Sequence, residues 1–262
     1  MNKREILIAI AVKNGGDYQK ILADLYSSHI PEDEEAHLIC SKLKCNVLTF
    51  LDPEYPEYLK HLFRPPFVLF YHGDISLIEK PINCLAVVGT REPSGIYASA
   101  TEEIVKECCK DYIIVSGLAK GIDRIAHKTA INNGGRTIAI LGSGINVCYP
   151  IENEDIYKDI INSKKHLLIS EYPPNSPPDS THFPFRNRLI AMFSKGILVT
   201  ESTIRSGSSI TVNFGLDFGR DIMCLPSSNF NQSGCNQFLK QGAACVENAI
   251  DVYNVMDTKK LL

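Results

Sequence analysis

The chain has 262 residues, with 44% hydrophobic and 22% charged residues, values typical of a globular protein large enough to bury a substantial core. No apolar run approaches the roughly 20 residues of a membrane span, and the first residues are too acidic for a signal peptide, so we expect a cytoplasmic protein with no membrane partner. The formal net charge of -3 argues against a protein that coats nucleic acid through its overall charge.

The first third of the chain divides into two segments of different composition. Residues 1–50 carry apolar residues at helical spacing, interrupted at Gly15 and Pro31, which predicts a small helical module for stabilisation or interaction. Residues 51–82 are rich in proline and contain an aromatic run at 67–71. Because proline excludes a long helix and aromatic residues favour strands, we expect a connecting segment with an extra strand.

Residues 83–255 alternate between strand and helix patterns. Apolar runs of strand length occur at 84–88, 112–115, 136–141, 166–170, 196–200 and 221–225, with a shorter one at 244–246. Segments of helical spacing separate these runs. Continuous apolar strands alternating with helices predict an α/β fold, with a mostly parallel, Rossmann-like sheet covered by helices on both faces.

Glycine, hydroxyl and cationic residues follow several of the predicted strands. The candidate phosphate-binding residues are Gly89, Thr90 and Arg91; Ser116, Gly117, Lys120 and Gly121; Arg186, Asn187 and Arg188; and Arg205, Ser206, Gly207 and Ser208. The carboxyl ends of parallel strands meet at one edge of a sheet, so these residues would lie close together. Their backbone N–H groups and guanidinium groups are suited to binding phosphate. The alternative is that each turn is structural and its cation is merely solvated.

No catalytic constellation stands out. The Rossmann GxGxxG and Walker GxxxxGK[ST] patterns are missing at these turns, and the cysteines and histidines lack metal-site spacing, so we predict no catalytic residue, metal or cofactor. Glu171 and Glu201 follow strands and could act as bases, although capping or pairing with arginine is favoured. His127 could pair with Asp123, but a structural histidine is the favoured interpretation.

Several short motifs occur together in one order between residues 55 and 252. They are Val87-Val-Gly-Thr-Arg91, Val115-Ser-Gly-Leu-Ala-Lys-Gly-Ile-Asp123, Gly135-Arg-Thr-Ile-Ala139, Ser170-Glu-Tyr-Pro173, His182-Phe-Pro with Arg186-Asn-Arg188, Arg205-Ser-Gly-Ser208 and Gly234-Cys-Asn236. In these motifs the sequence closely resembles the DprA/Smf family of bacterial DNA processing proteins.

The resemblance implies an extended Rossmann fold that binds and protects single-stranded DNA and loads the recombinase RecA during natural transformation, without catalytic turnover. It implies that Arg91 and Lys120 hold the DNA backbone, and that Phe238 and Leu239 supply an apolar contact in a homodimer. The amino-terminal helices resemble the SAM-like module of some members, and we expect no counterpart of the carboxyl-terminal winged-helix domain that other members carry. Ser209 and Ser227 depart from the family pattern, at positions usually occupied by a bulky aliphatic residue and by glycine.

Single-strand binders also present aromatic groups for base stacking. Phe183, Phe185 and Tyr172 lie beside the arginine cluster and could stack on bases, although anchoring of their loop is the favoured interpretation. Two other classes of function stay open. One is an enzyme or sensor of a small nucleotide, related to phosphoribohydrolases, whose PGGxGTxxE motif is missing here. The other is a scaffold with a vestigial anion site.

Overall fold

A single nine-stranded sheet organises the computed structural model, which describes residues 2–27 and 30–257. The strands are β1 (Asn46–Thr49), β2 (Val68–Gly73), β3 (Cys84–Val88), β4 (Ile113–Ser116), β5 (Thr137–Ile140), β6 (Leu167–Ser170), β7 (Gly196–Val199), β8 (Asp221–Cys224) and β9 (Ala244–Cys245). Their order across the sheet is β1-β2-β6-β5-β4-β3-β7-β8-β9. All pairs from β6 to β9 are parallel, and β2 is antiparallel to both β1 and β6.

Helices cover both faces of the sheet. They are α1 (Lys3–Lys13), α2 (Tyr18–Tyr26), α3 (Asp33–Ser41), α4 (Glu57–Lys60), α5 (Gly95–Cys108), α6 (Ile122–Asn132), α7 (Glu154–Asn162), α8 (His182–Met192), α9 (Gly207–Asp217), α10 (Gly234–Lys240) and α11 (Ala249–Asp257). Short 3-10 helices occupy Ile75–Ile78, Pro81–Asn83 and Ile151–Asn153. The predicted α/β fold, with a mostly parallel Rossmann-like sheet, is therefore confirmed.

Burial on both faces explains the continuous apolar runs of the central strands. Every residue of β3 through β7 is buried, so neither face offers a place for alternating polar residues. Apolar side chains of α5, α6 and α11 pack together with Leu85 and Val87 of β3 on one face. Those of α8, α9 and α10 pack with Ala86 and Val88 of the same strand on the other face.

The amino-terminal helices pack on the sheet beside β2 and β6. All residues from 6 to 11 of α1 are buried, and they share one apolar cluster with Phe70 of β2 and Leu168 of β6. The sequence pattern did not predict β1, because only Leu48 and Thr49 of its four residues are buried and its pairing partner is distant in the chain. In the described residues, no helix has the length and apolarity needed to cross a membrane.

Candidate nucleic-acid interface

A cleft of about 710 Å³ lies where the parallel strands end. Its lining combines the turn after β3 with residues of α8 and with the beginning of α9. The predicted phosphate-binding residues that line the cleft are Gly89, Thr90, Arg91, Arg186, Asn187, Ser206, Gly207 and Ser208. The structure thus brings together residues from three of the four predicted groups, as expected for a ligand site beyond the carboxyl ends of parallel strands.

The turn after β3 holds the cation that is most available to a ligand. Thr90 is fixed through its backbone, which donates to the carbonyl of Glu201 over 2.7 Å and accepts from the N–H of Ile122 over 3.1 Å. The next residue, Arg91, is exposed, and its side chain makes no hydrogen bond or ion pair with any described residue. A fixed turn with an unpaired guanidinium can bind an anion without first breaking an internal contact.

Glu201, which lies close to this turn, has a capping role. Its Oε2 accepts a hydrogen bond of 2.9 Å from the backbone N–H of Ser94, the residue that precedes α5. An ionised carboxylate is favoured at the amino end of a helix. The predicted capping role of Glu201 is therefore confirmed.

The turn after β4 is mainly structural. Ser116 is buried and its hydroxyl donates to the carbonyl of Val87 over 2.7 Å, while Asp123 accepts from the N–H groups of Gly117 at 3.0 Å and Ala119 at 3.3 Å. Gly121 has a φ of 72°, a left-handed conformation that favours glycine, and it precedes α6.

Lys120, from the same turn, lies outside the cleft lining and is half-exposed. Its ammonium group pairs with the carboxylate of Glu152, which is equally exposed. Solvent-exposed pairs of this kind are weak, so Lys120 could exchange its partner for a phosphate. The resemblance-based role of Lys120 stays a prediction.

Arg186 forms part of the cleft floor and connects several strand ends. It is 5% exposed, and its Nη1 donates to the carbonyls of Gly117, over 2.8 Å, and Ile140. Burial lowers the pKa of Arg186 to about 10, and the nearby Asp123 carboxylate opposes this shift, so the guanidinium stays charged at neutral pH. Burial likewise raises the pKa of Asp123, against the influence of Arg186 and the two backbone N–H groups.

Arg188 lies away from the cleft. Its guanidinium is 2% exposed, forms a 2.6 Å ion pair with Glu171 and lies 4.0 Å from the ring centre of Phe185. Helix α8 begins at His182, so Arg186 and Arg188 both lie beyond its first turn, and carbonyl oxygens and the Glu171 carboxylate compensate their charge.

Helix α9 begins in a cluster of hydroxyl groups at the cleft. The Ser202 hydroxyl lies 2.7 Å from that of Ser206 and 2.9 Å from that of Ser208, and Ser206 lies 3.3 Å from Ser209. No side chain caps the amino end of this helix, and while the N–H of Ser209 donates to the carbonyl of Ser206 over 3.1 Å, the N–H groups of Gly207 and Ser208 have no acceptor among the described residues and remain available to a ligand. Arg205 is exposed beside the cluster but outside the cleft lining.

An aromatic pair borders the cleft. The half-buried Phe183 lines it and stacks on Tyr149, with ring centres 5.6 Å apart and an interplanar angle of 29°. Tyr149 is 43% exposed, so this pair presents a surface on which a base could stack. Phe185 lies against Arg188, and Tyr172 is buried against His182, as expected for residues that anchor their loop.

His127 has a structural environment, as the sequence favoured. It is fully buried, and its Nδ1 lies 2.7 Å from the hydroxyl of Thr137, which itself donates to the carbonyl of Ile114. His127 therefore donates through Nδ1, and its buried Nε2 has no hydrogen-bond partner among the described residues. In residues 2–27 and 30–257, no group of three or more His, Cys, Asp or Glu residues could hold a metal ion.

The predicted dimer residues lie on α10, far along the sheet from the aromatic pair. Phe238 is only 9% exposed and belongs to the core of its own chain, and Leu239 is half-buried against that core. A groove of about 270 Å³ passes Phe238 and Leu216, and Leu216 is 59% exposed. The backbone N–H of Ser227 donates to Oδ1 of Asn236 over 2.9 Å, and its carbonyl accepts from Nδ2 of Asn236 over 2.7 Å; these backbone bonds do not depend on the serine side chain.

Comparison with known proteins gives consistent matches. The family model described as DNA recombination-mediator protein A matches residues 46–257. DNA processing protein DprA of Streptococcus pneumoniae is 39% identical over 221 residues, which cover 84% of this chain and 77% of that protein.

Two solved structures resemble the fold closely. The X-ray structure of DNA processing protein A from Streptococcus pneumoniae has a TM-score of 0.77 and 33% identity, and the match covers 95% of this chain and 92% of that one. A structure that addresses the single-stranded DNA binding mode of DNA processing protein A from Helicobacter pylori has a TM-score of 0.73 and 27% identity. That match covers 84% of this chain and 98% of that one.

Proposed function

The chain belongs to the DNA recombination-mediator protein A (DprA/Smf) family, and from this premise we propose that it binds single-stranded DNA along the cleft. The observation that carries the proposal is the exposed, unpaired Arg91 in the same cleft as the uncapped start of α9. Both groups favour phosphate. The single-stranded DNA binding of the relative from Helicobacter pylori supports the same ligand.

The cleft also contains features that suit a single strand better than a duplex. Phe183 and Tyr149 offer aromatic planes beside the phosphate-binding groups, and unpaired bases can stack on such planes. In a duplex the bases are already stacked within the helix and their faces are covered. We therefore expect preference for single strands without strong preference for sequence.

We further propose that the bound strand is protected and passed to RecA during natural transformation. This step is non-enzymatic and requires no cofactor, and it takes place in the cytoplasm. A direct test measures RecA assembly on single-stranded DNA coated with single-strand-binding protein, with and without the present protein. Faster assembly supports the proposal, and assembly at an unchanged rate contradicts it.

We propose that the working unit is a homodimer formed at the groove between α9 and α10. Leu216 leaves more than half of an aliphatic side chain in water beside this groove, and the partly buried Leu239 lies on α10. A second copy that covered these residues would remove their apolar surface from water. In this arrangement Phe238 supports the interface from within the core.

The small-nucleotide alternative has one observation in its favour. The cleft volume of about 710 Å³ lies in the range of roughly 300–1,000 Å³ that is common for small-molecule sites. Fluorescence anisotropy with labelled oligo-dT at two salt concentrations, competed by duplex DNA and by AMP, separates the two functions. Salt-sensitive binding that neither competitor displaces supports the mediator, whereas absent binding or displacement by AMP favours the nucleotide site.

A further inference from the structure

A second aromatic and cationic cluster lies at the same edge of the sheet as the cleft. We call it the Arg64 cluster, and it consists of Tyr18, Phe63, Arg64 and Phe67. Tyr18 and Phe67 stack with ring centres 4.9 Å apart and an interplanar angle of 18°. The Arg64 guanidinium lies 5.9 Å from the ring centre of Tyr18 and 5.1 Å from that of Phe63.

Strand pairing fixes the position of this cluster. Phe70 of β2 is opposite Ser170, the last residue of β6, and the two strands are antiparallel. The residues that precede β2, including Arg64, therefore lie beyond the carboxyl end of β6. Four strand spacings of about 4.8 Å, or roughly 19 Å, separate β2 from β3 across the sheet.

Packed loops connect the two sites. A Cβ atom at Gly16, just before α2, would lie 3.2 Å from the ring of Tyr172 and 3.3 Å from Pro173. The loop that contains Pro173 in turn bonds to the turn after β5, where the N–H of Gly144 donates to Ser176 over 2.8 Å. That turn contacts the aromatic pair, since a Cβ at Gly142 would lie 2.5 Å from the ring of Phe183.

The outer part of the cluster, Phe63 and Arg64, has no evident role in the stability of the fold, whereas Phe67 packs against an apolar core cluster. Phe63 is 78% exposed, so its ring contributes little to the core. Arg64 has a left-handed φ of 59°, which is uncommon and costly for a residue other than glycine. Within the described residues, the Arg64 guanidinium forms no ion pair and rests only on aromatic rings. A guanidinium stacked on rings keeps its N–H groups at its edge, where they can donate to phosphate.

We propose that the Arg64 cluster is a second subsite for single-stranded DNA, which binds nucleotides of the same strand after it leaves the cleft past Phe183. The exposed ring of Phe63 stacks on a base, and Arg64 binds a neighbouring phosphate, the two contacts that single-strand binders combine. At the spacing of about 3.4 Å in a stacked strand, roughly 19 Å corresponds to about six nucleotides. This inference rests on the proposed binding of single-stranded DNA in the cleft.

The test compares oligo-dT strands of about 5 and about 20 nucleotides by fluorescence anisotropy with the full chain. Only the longer strand can occupy both sites, so we expect Phe63→Leu and Arg64→Asn each to weaken its binding about tenfold. Binding of the shorter strand should not change. Asparagine is chosen because it tolerates the left-handed backbone of Arg64.

Two further variants serve as controls. Phe63→Tyr keeps an aromatic plane and should bind the longer strand like the wild-type protein. Arg136→Ala removes an exposed arginine that precedes β5, at the opposite edge of the sheet, and should bind it like the wild-type protein as well. Thermal unfolding of each variant verifies that the chain is folded.

The outcomes separate the two proposals. If the wild-type protein binds neither strand, the proposed function is wrong. If it binds both strands but Phe63→Leu and Arg64→Asn leave the advantage of the longer strand intact, only the second subsite is wrong. Equal weakening of both strands would also overturn the second subsite, because it would indicate an effect on the cleft.

Discussion

At the scale of single residues, exposure and pairing divide the predicted cations into different roles. Arg91 is exposed and unpaired among the described residues, Lys120 already has Glu152 as a partner, and Arg188 is buried with Glu171. Sequence patterns placed Arg91 and Lys120 at strand ends and Arg188 in a neighbouring connection, but they could not distinguish a cation that faces the cleft from one that faces the core. For Arg188, that distinction depends on the rotation and the starting residue of α8, which the sequence pattern left open.

Arg91→Ala should weaken binding of single-stranded DNA. It should also make the slope of log K against log salt shallower by about one unit, because one phosphate contact is lost. Lys120→Ala should have a smaller effect, because Glu152 already neutralises part of its charge. Arg136→Ala, at the opposite edge, is the charge-matched control and should leave both quantities unchanged. Anisotropy titrations at several salt concentrations measure them, and an unchanged slope in folded Arg91→Ala would remove Arg91 from the site.

Gly117→Ala should lower the free energy of unfolding by about 1–3 kcal/mol, the usual cost of overpacking a filled interior. The new Cβ would lie 2.5 Å from Nη2 of Arg186, which cannot retreat because two carbonyls hold it. Gly95→Ala is the matched control, since its Cβ would point into open space. Urea unfolding compares the two variants, and equal stability would show that Arg186 can rearrange.

At the scale of elements, the apolar runs of the central strands predicted both their existence and their parallel pairing. Strands β3 to β7 were predicted because each is buried on both faces and has a continuous apolar run, and β8 was predicted because only its first residue, Asp221, is polar and partly exposed. The strand β1 was missed because its pairing with β2 is a long-range contact that leaves no local pattern. The position of the candidate cleft was predictable in the same way, since turns that follow parallel strands all lie at the same end of the sheet. The Arg64 cluster was not, because its position depends on the antiparallel pairing of β2.

A buried histidine of α6, His127, packs against Thr137 of β5 and should make the stability of the protein depend on pH. Burial lowers the pKa of His127 to about 3, so the unfolded chain binds a proton below about pH 6.5 while the folded chain does not. Stability is therefore lost as the pH falls from about 6.5 towards 3, by up to about 1.4 kcal/mol per pH unit. Between about pH 7 and pH 5.5, His127 should lower the free energy of unfolding by about 1 kcal/mol.

Urea unfolding at these two pH values measures the effect. His127→Gln should reduce the loss, and the remainder would include His166, whose pKa is also lowered by burial. The exposed His37 provides the control, and His37→Gln should retain the full loss. An identical pH dependence in wild-type protein and His127→Gln would rule out His127 as its source.

At the scale of the whole molecule, helix α9 contributes to both proposed surfaces, with its first turn at one and its later residues at the other. The DNA cleft lies beyond the carboxyl ends of β3, β4 and β7, whereas the groove beside Leu216 lies among α9, α10 and β8. The resemblance to the family predicted both surfaces, but its dimer residue Phe238 belongs to the core of the single chain. Sequence could not reveal this, because a buried and an interfacial phenylalanine have the same local pattern.

Leu216→Glu should convert a dimer into a monomer, because the new carboxylate would be buried against the partner. Its effect on the stability of the single chain should be small, since Leu216 is 59% exposed. Ile96→Glu, at a residue 79% exposed on α5, is the matched control and should leave the mass unchanged. Light scattering after size-exclusion chromatography gives the mass, and a wild-type monomer at all concentrations would refute the proposed dimer.

The contacts of Arg186 in the cleft form only when distant parts of the chain are assembled, so ligand binding in the cleft indicates complete folding. Arg186 connects to carbonyls that lie 69 and 46 residues earlier in the chain, so these contacts require α8, β4 and β5 to be assembled together. Long-range contacts of this kind impose a large loop-closure cost and tend to form late. A nascent or partly unfolded chain would therefore have no cleft, and added oligonucleotide would raise the melting temperature by trapping only fully assembled molecules.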